Sequence, residues 1–366
     1  MKTTNRSDIC VACAKTKGPI TIGLDLGDRN TYYCILDGEG NVVAEGKFRT
    51  TPDDFKSQFA QVSRCRIAME VGTHSRWSSR TLTSLGHETI VANARKVRLI
   101  KESDNKTDTM DARTLARLAR VDPALLSPIS HRAQEVYPDM AKIRARELLV
   151  RTRTKLINAV RGIVKATGSR LAGCTTRTFA KKMETELPGG LEASLKPLIE
   201  TIAHLTQQIA LYDKELEAVA KHDYPETEKL RQVHGVGPVT ALQFVLTIDD
   251  PGRFAKSRQV GSFLGLQPRQ SQSGDRAPQL GISKAGDCSL RHMLVQCAHH
   301  ILGRFGKDCD LRRWGLALMQ RGGKNAKKRA VVAVARKLAV LLHRLLVSDV
   351  EYNPFRGPAQ TATASV

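Results

Sequence analysis

Aromatic residues are scarce: Phe, Trp and Tyr make up 5% of the 366 residues. That scarcity excludes a protein that reads single strands by stacking bases on an aromatic platform. Acidic residues are short as well, 36 Asp and Glu against 58 Lys and Arg, which leaves a formal charge of +22. A bilayer-spanning run is missing too. The apolar stretch around Val331–Val340 is broken by Arg336 and Lys337, whereas a span needs about 18 uninterrupted apolar residues. The opening MKTTNRSDICVACAKTKG has no apolar core of a secretory signal, and eight scattered cysteines fit a reduced compartment. Cys10 and Cys13 form one C-x-x-C, but no second ligand pair lies near it at zinc spacing. The reading is two ordinary thiols in a flexible leader over residues 1–19.

What is present is a folding chain, 41% hydrophobic, with its positive charge concentrated late. Residues 231–366 hold 21 Lys and Arg against 8 Asp and Glu, so a phosphate-facing surface is expected there. Residues 20–125 read as an α/β domain. ITIGLDLG, TYYCILDG and NVVAEGKF alternate around Asp37-Gly38-Glu39-Gly40 as three antiparallel strands, and RCRIAMEVG and HETIVAN are further strands. Helices are expected from Thr51, with Pro52 at N1, and from about His74 to Leu85, giving the order βββαβαβα.

Residues 126–225 turn wholly helical. A long basic helix over 132–165 carries Arg144, Arg146, Arg151 and Arg153, all taken as nucleic-acid contacts. A second helix repeats Leu191, Leu195, Leu198, Ile202, Leu205, Ile209, Tyr212, Leu216 and Val219, a heptad seam that needs a partner. Either the basic helix folds back on it or a second subunit covers it. From residue 226 to 348 a basic helical domain begins with VHGVGPVT. Its Gly235 and Gly237 suit a helix-hairpin-helix, whose tight turn offers backbone N–H groups to a DNA phosphate. Residues 349–366 read as a tail.

Four acids stand out. Asp25 ends the first strand, Glu70 ends the fourth, and Asp108 and Asp111 lie three apart at the start of a helix. Carboxylates converging without His or Cys select hard cations, Mg²⁺ or alternatively Mn²⁺. Two such ions stabilise the attacking and leaving oxygens of phosphodiester displacement. The plainer alternative makes Asp108 a helix cap and Asp25 an exposed turn acid.

This acid set, with NKTDTMDAR, resembles the resolvase-like DEDD catalytic domain of insertion-sequence transposases of the one-ten and eleven-eleven groups, which include the pilin-gene invertases. The stretch from VHGVGPVTALQ to LRHMLVQCA, with its G-L-x-P-R-x-x-x-S-G and I-S-K-x-G-x-x-x-L-R patterns, is similar to the transposase domain of the same family. The resemblance covers roughly residues 20–345. It implies an RNase H-like domain, a coiled-coil middle segment and a small helical transposase domain. It implies that Ser273 is the nucleophile on a DNA phosphate, with the acids binding metal at the same phosphate; in the loop itself Arg269, Arg276 and Lys284 are the nearby cations that such chemistry requires. It further implies a composite centre in a homodimer or homotetramer, no membrane, a bacterial cytoplasmic setting at the nucleoid, and a structured element-encoded guide RNA that pairs with donor and target DNA. Two rivals remain open from the residues themselves: a metal-dependent junction-resolving nuclease, which needs no serine, and a nucleic-acid-binding architectural protein, which needs no metal.

Overall fold

Alternation of small and apolar residues builds the first of two compact units, Met1–His131. The computed structural model describes residues 8–94, 107–274, 276, 278, 280–348 and 350–355. Its first unit runs α1 (Asp8–Ala14), β1 (Thr21–Leu26), β2 (Asn30–Leu36), β3 (Val42–Arg49), α2 (Pro52–Phe59), β4 (Arg66–Glu70), α3 (Ser75–Ser84), β5 (Glu88–Ala92) and α4 (Asp108–Val121). From β1 onward this is the βββαβαβα order. The sheet is mixed, in the order β3-β2-β1-β4-β5, with β1, β2 and β3 antiparallel and β4 and β5 continuing parallel to β1. Thr51 caps α2 by accepting from the Asp54 N–H, and Pro52 fills the first helical position.

One face of the sheet packs Ile22, Leu24, Ile35, Ile67 and Met69 with Phe55 and Phe59 of α2 and Leu82 of α3. The other face is covered by α4, through Ala112, Ala116, Leu115 and Ala119 against Cys34, Leu36 and Ala68, with Leu126 beyond the helix packing on Ala68, Ile90 and Ala92. An RNase H-like α/β arrangement fits these layers. The α4 layer sits unusually close because β1 has Gly23 beneath it: a Cβ there would lie 2.0 Å from the Ala112 carbonyl oxygen and 2.5 Å from the Ala116 nitrogen. Since both atoms are backbone, the helix itself must lift to admit a methyl group. Gly23→Ala is therefore expected to cost about 3 kcal/mol, the upper end of ordinary overpacking, measured by urea unfolding. Gly72→Ala, in open space at a loop, should cost far less.

The leader departs from expectation. Residues 1–7 lie outside the described residues, but Asp8–Ala14 is a helix whose Ile9, Cys10 and Cys13 are buried in the same core as Phe59, Val62 and Cys65. The buried positions 9, 10 and 13 make one helical face, which explains the docking. Burial raises the Cys13 thiol to about 11 and the Cys65 thiol to about 12, so both are protonated, inert core groups at neutral pH. Among the described residues no group of three or more His, Cys, Asp or Glu side chains is placed to hold a metal.

The second unit, Arg132–Val366, comprises α5 (Tyr137–Ala166), α6 (Phe179–Glu186), α7 (Glu192–His222), α8 (Thr227–Arg231), α9 (Pro238–Ile248), α10 (Arg258–Phe263), α11 (Cys288–Leu302), α12 (Asp310–Gln320) and α13 (Ala326–Val347). The seam of α7 is covered by α5 of the same chain. Ile157, Val160 and Val164 meet Leu195, Ile199 and Ile202, while at the other end Met140 and Ile143 meet Leu216 and Ala220, so the two helices are antiparallel. Ile199 and Ala220 replace Leu198 and Val219 as fully buried positions, a drift expected of 3.6-residue periodicity. The segments expected separately as 126–225 and 226–348 form one unit here, because Leu242 and Leu246 of α9 complete the core of Met140, Ile143 and Leu216. The expected tail is also tied down at its start: the Asp310 N–H donates to the Pro354 carbonyl at 3.0 Å, and Tyr352 packs against the main core. Residues 349 and 356–366 of that tail lie outside the described residues. No described helix is long and apolar enough to cross a membrane.

Candidate catalytic face and serine arm

Strand register decides where the acids stand. Leu24 of β1 pairs with Met69 of parallel β4, so Asp25 and Glu70 occupy the next equivalent step at the C-terminal ends of neighbouring strands. By alternation Asp25 shares the face of Gly23 and Glu70 shares the face of Ala68, the face that α4 covers. The helix runs antiparallel to β1. Arg66, whose strand partner is Thr21, donates from Nη1 to the Ala119 carbonyl at 3.1 Å, and Arg120 near the helix end donates to Gly38. The first turn of α4, with Asp108 and Asp111, consequently lies toward the strand ends that carry Asp25 and Glu70. All four acids share one face and one end of the sheet, although they do not form a preformed cage among the described residues.

Burial grades them. Asp111 is 8% exposed, Asp25 and Glu70 are half-buried, and Asp108 is exposed. The plainer alternative for Asp108 loses its motive, because Thr107 is the N-cap and its hydroxyl accepts from the Met110 N–H. Asp25 lies within β1 rather than in a turn. The next residues of the motif anchor the helix: Arg113 grips Glu45 of β3 with two hydrogen bonds of 2.7 Å. This guanidinium holds the Glu45 carboxyl below the usual range. Asn105 and Lys106 of NKTDTMDAR lie outside the described residues.

In the second unit, the described residues between 265 and 284 pair across a narrow arm through isolated bridges. Lys284 N–H donates to Gly265, Ser283 N–H to Gln267 and Arg269 N–H to Gly281, and at the far end Ser273 and Arg276 exchange two backbone hydrogen bonds of 3.1 Å. Gly274, at φ +55°, makes the turn beyond Ser273. Ser273 is therefore an exposed hydroxyl next to the tip of an arm, with Arg276 directly opposite. Arg269 is farther along the arm, and Lys284 is at its base, so the fold separates Lys284 from the serine. Asp275, beside this turn, lies outside the described residues.

The base of the arm is fixed by a residue that sequence reasoning did not single out. Arg291, 9% exposed, donates from one guanidinium nitrogen to the carbonyls of Leu264, at 2.9 Å, and Ala285, at 2.6 Å, on either side of the base. Its only sequence signal is its place at the end of I-S-K-x-G-x-x-x-L-R. Gly286 belongs to the same lock, since a Cβ there would meet the Phe263 carbonyl oxygen at 1.9 Å.

The basic helix needs correction. Arg153 is 8% exposed, not a surface contact; it faces α7, where Nη1 donates to Thr206, and burial lowers its pKa. Arg146 is committed to Asp213 of α7 at 2.6 Å. Both lie on the stripe with Ile143, Ile157 and Val160 that packs against α7, as steps of three and four residues require. Arg144 and Arg151 are exposed, Arg151 in an ion pair with Glu147. Gly235, at φ +91° in the turn between α8 and α9, is hemmed by His300 and Ile301, whereas Gly237, the N-cap of α9, opens to free space.

Comparison with known proteins agrees with both halves. A DEDD transposase model of the IS110 type matches residues 22–168, and the model described as transposase IS116/IS110/IS902 family matches residues 227–312. The transposase for insertion sequence element IS1111A of Coxiella burnetii is 30% identical over 345 residues, 91% of each chain. A probable family 20 transposase of Pseudomonas aeruginosa is 30% identical over 342 residues, 91% of this chain and 98% of its own. The pilin gene-inverting protein of Moraxella lacunata is 27% identical over 118 residues, 32% of this chain and 35% of its own. With an acid-bearing α/β unit followed by the second matched region in the same order, this chain belongs to the IS116/IS110/IS902 transposase family, enzymes that cleave DNA and transfer its strands.

Proposed function

We propose that the protein is a site-specific recombinase of an insertion sequence that cuts and rejoins donor and target DNA through a serine–DNA intermediate, guided by a structured RNA encoded by the element. The observation that carries the reading is the common face and end of the sheet shared by Asp25, Glu70, Asp108 and Asp111. A hard-oxygen donor set of this kind fits divalent metal: Asp25, Glu70, Asp108 and Asp111 would hold Mg²⁺ or Mn²⁺. A metal held there would supply Lewis-acid stabilisation of the charge that develops on the phosphate oxygens. The start of α4 favours the negative charge gathered there.

The chain's own residues do the rest. Ser273 presents its hydroxyl at the end of an arm narrow enough to reach a phosphate. Arg276 and Arg269 bring positive charge to the phosphate oxygens. Attack by Oγ on phosphorus forms an Oγ–P bond and releases a DNA hydroxyl, so the phosphodiester energy is conserved for rejoining. The turn of Gly235 and Gly237 holds a flanking phosphate as a helix-hairpin-helix. Acids of one subunit and the serine of another make a composite centre, which requires a homodimer or homotetramer.

Reconstitution tests the proposal. The protein, Mg²⁺, RNA transcribed from the noncoding DNA beside the gene, and DNA bearing the element's junction and its target should give recombinant joints by amplification across the join. Omitting the RNA should reduce the joints to background. Equal joint formation without RNA would remove the guide from the reading, and free ends without joints would favour a junction-resolving nuclease.

A further inference from the structure

Beside the base of the serine arm, within the second unit, lies a cleft of about 1040 Å³ between the arm and the α12–α13 corner. Lys284, Arg321, Lys324, Lys328, Arg329 and Arg336 line it, and no acidic residue does among the described ones. Among the described residues Arg321, Lys324, Lys328, Arg329 and Arg336 have no ion-pair partner, in a chain where Arg113, Arg146 and Arg313 are each spent on a carboxylate. These five cations, converging without an ion-pair partner among the described residues, repel one another, a cost that folding alone gives no reason to carry. The first turn of α13 adds to it: Lys327, Lys328 and Arg329 sit at the positive end of the helix, without an acid or a side-chain cap. A polyanion relieves both terms.

Position identifies the polyanion. Pro268 and Ile282, paired across the arm, form part of the cleft wall, and Ser273 lies five residues beyond Pro268. At about 3.3 Å per residue that is about 17 Å, which corresponds to about five base pairs of duplex at 3.4 Å each. We infer that this cleft binds the phosphate backbone of duplex DNA about half a helical turn from the phosphate that Ser273 attacks. The cleft thus sets where along the duplex the arm can act, independently of sequence, since its cations meet phosphates rather than base edges. The inference rests on the proposed role of Ser273 for its location, but duplex binding itself is measured without any chemistry.

The test is fluorescence anisotropy of the full-length protein with a labelled random-sequence duplex DNA, over a range of salt, alongside an RNA hairpin probe. Lys324→Ala/Lys328→Ala/Arg329→Ala should weaken duplex binding on the order of 100-fold near 0.1 M salt and lower the slope of log affinity against log salt by about 2.7. The charge-conserving Lys324→Arg/Lys328→Arg/Arg329→Lys should bind as wild type, and circular dichroism should show the same helicity in all variants. Lys181→Ala/Lys196→Ala/Lys214→Ala removes the same charge from exposed sites on α6 and α7 and should leave the slope nearly unchanged. An unchanged slope in the cleft variant, an equal loss in the α6–α7 control, or a loss for the RNA probe alone overturns the inference. Failure to see a serine–DNA adduct would instead count against the recombinase mechanism, leaving the binding measurement intact.

Discussion

Asp111→Asn should reduce strand cleavage by about 10³-fold while changing duplex affinity little, the scale expected when a key charge-stabilising group is removed from a phosphoryl-transfer site. Asn keeps the volume of the side chain, which matters because Asp111 is 8% exposed beneath the first turn of α4. What it loses is the negative charge that a hard cation requires. Asp25→Asn and Glu70→Gln should behave alike, since both strand ends feed the same face. The control comes from the helix cap. Thr107→Ala removes the hydroxyl that accepts from Met110 and should cost about 1 kcal/mol of stability with cleavage largely retained. Asp108→Asn should show the opposite split, lost cleavage with little lost stability. Cleavage of a labelled junction substrate in Mg²⁺ gives the first readout and urea unfolding the second. Wild-type cleavage by Asp111→Asn would eliminate the metal-site reading, and loss of stability without loss of cleavage in Asp108→Asn would leave that residue only a charge that favours the start of α4.

The strands and caps were legible because their signals are local. Alternation in ITIGLDLG and TYYCILDG, Thr51 before Pro52, and an acid pair spaced by three at a helix start each act within a few residues. The acids could be placed at strand ends from sequence, but their common end depended on the parallel register of β1 and β4 and on the direction of α4. Both are long-range facts. Gly23 looked like one more small strand residue; its importance lies in Ala112 and Ala116, about 90 residues away in the chain. The charge of Arg146 and Arg153 points to a nucleic-acid contact, but the helical stripe they share with Ile143 and Ile157 turns both toward α7. The serine arm left no period-two apolar trace, since its ladder runs through Pro, Gln, Arg and Ser and is held from outside by Arg291. The leader helix escaped for the opposite reason: seven residues, apolar at all but Asp8, are too short and too uniform to signal by periodicity, and only the core of Phe59 and Val62 gives them a place to dock.

Ser273 should become joined to DNA, and that result separates a recombinase from a nuclease. A water activated by metal leaves free ends and discards the phosphodiester energy, whereas the serine oxygen retains it in an Oγ–P bond. On a nicked substrate that loses its rejoining partner by diffusion, the adduct should accumulate and migrate as a protein–DNA species in denaturing electrophoresis. Ser273→Ala should abolish it, a loss of at least about 10³-fold, because removing a nucleophile leaves only the residual stabilisation of the site. Ser271→Ala should retain it: two residues back along the arm, Ser271 lies outside the Ser273–Arg276 closure that fixes the tip. Arg291→Ala adds a geometric arm to the experiment. It breaks the two carbonyl contacts at the base, so the adduct should form more slowly although Ser273 is intact. If Ser273→Ala yields free ends at the wild-type rate with no adduct at any stage, the attacking oxygen is water, and the arm serves to hold DNA for the acids rather than to cut it.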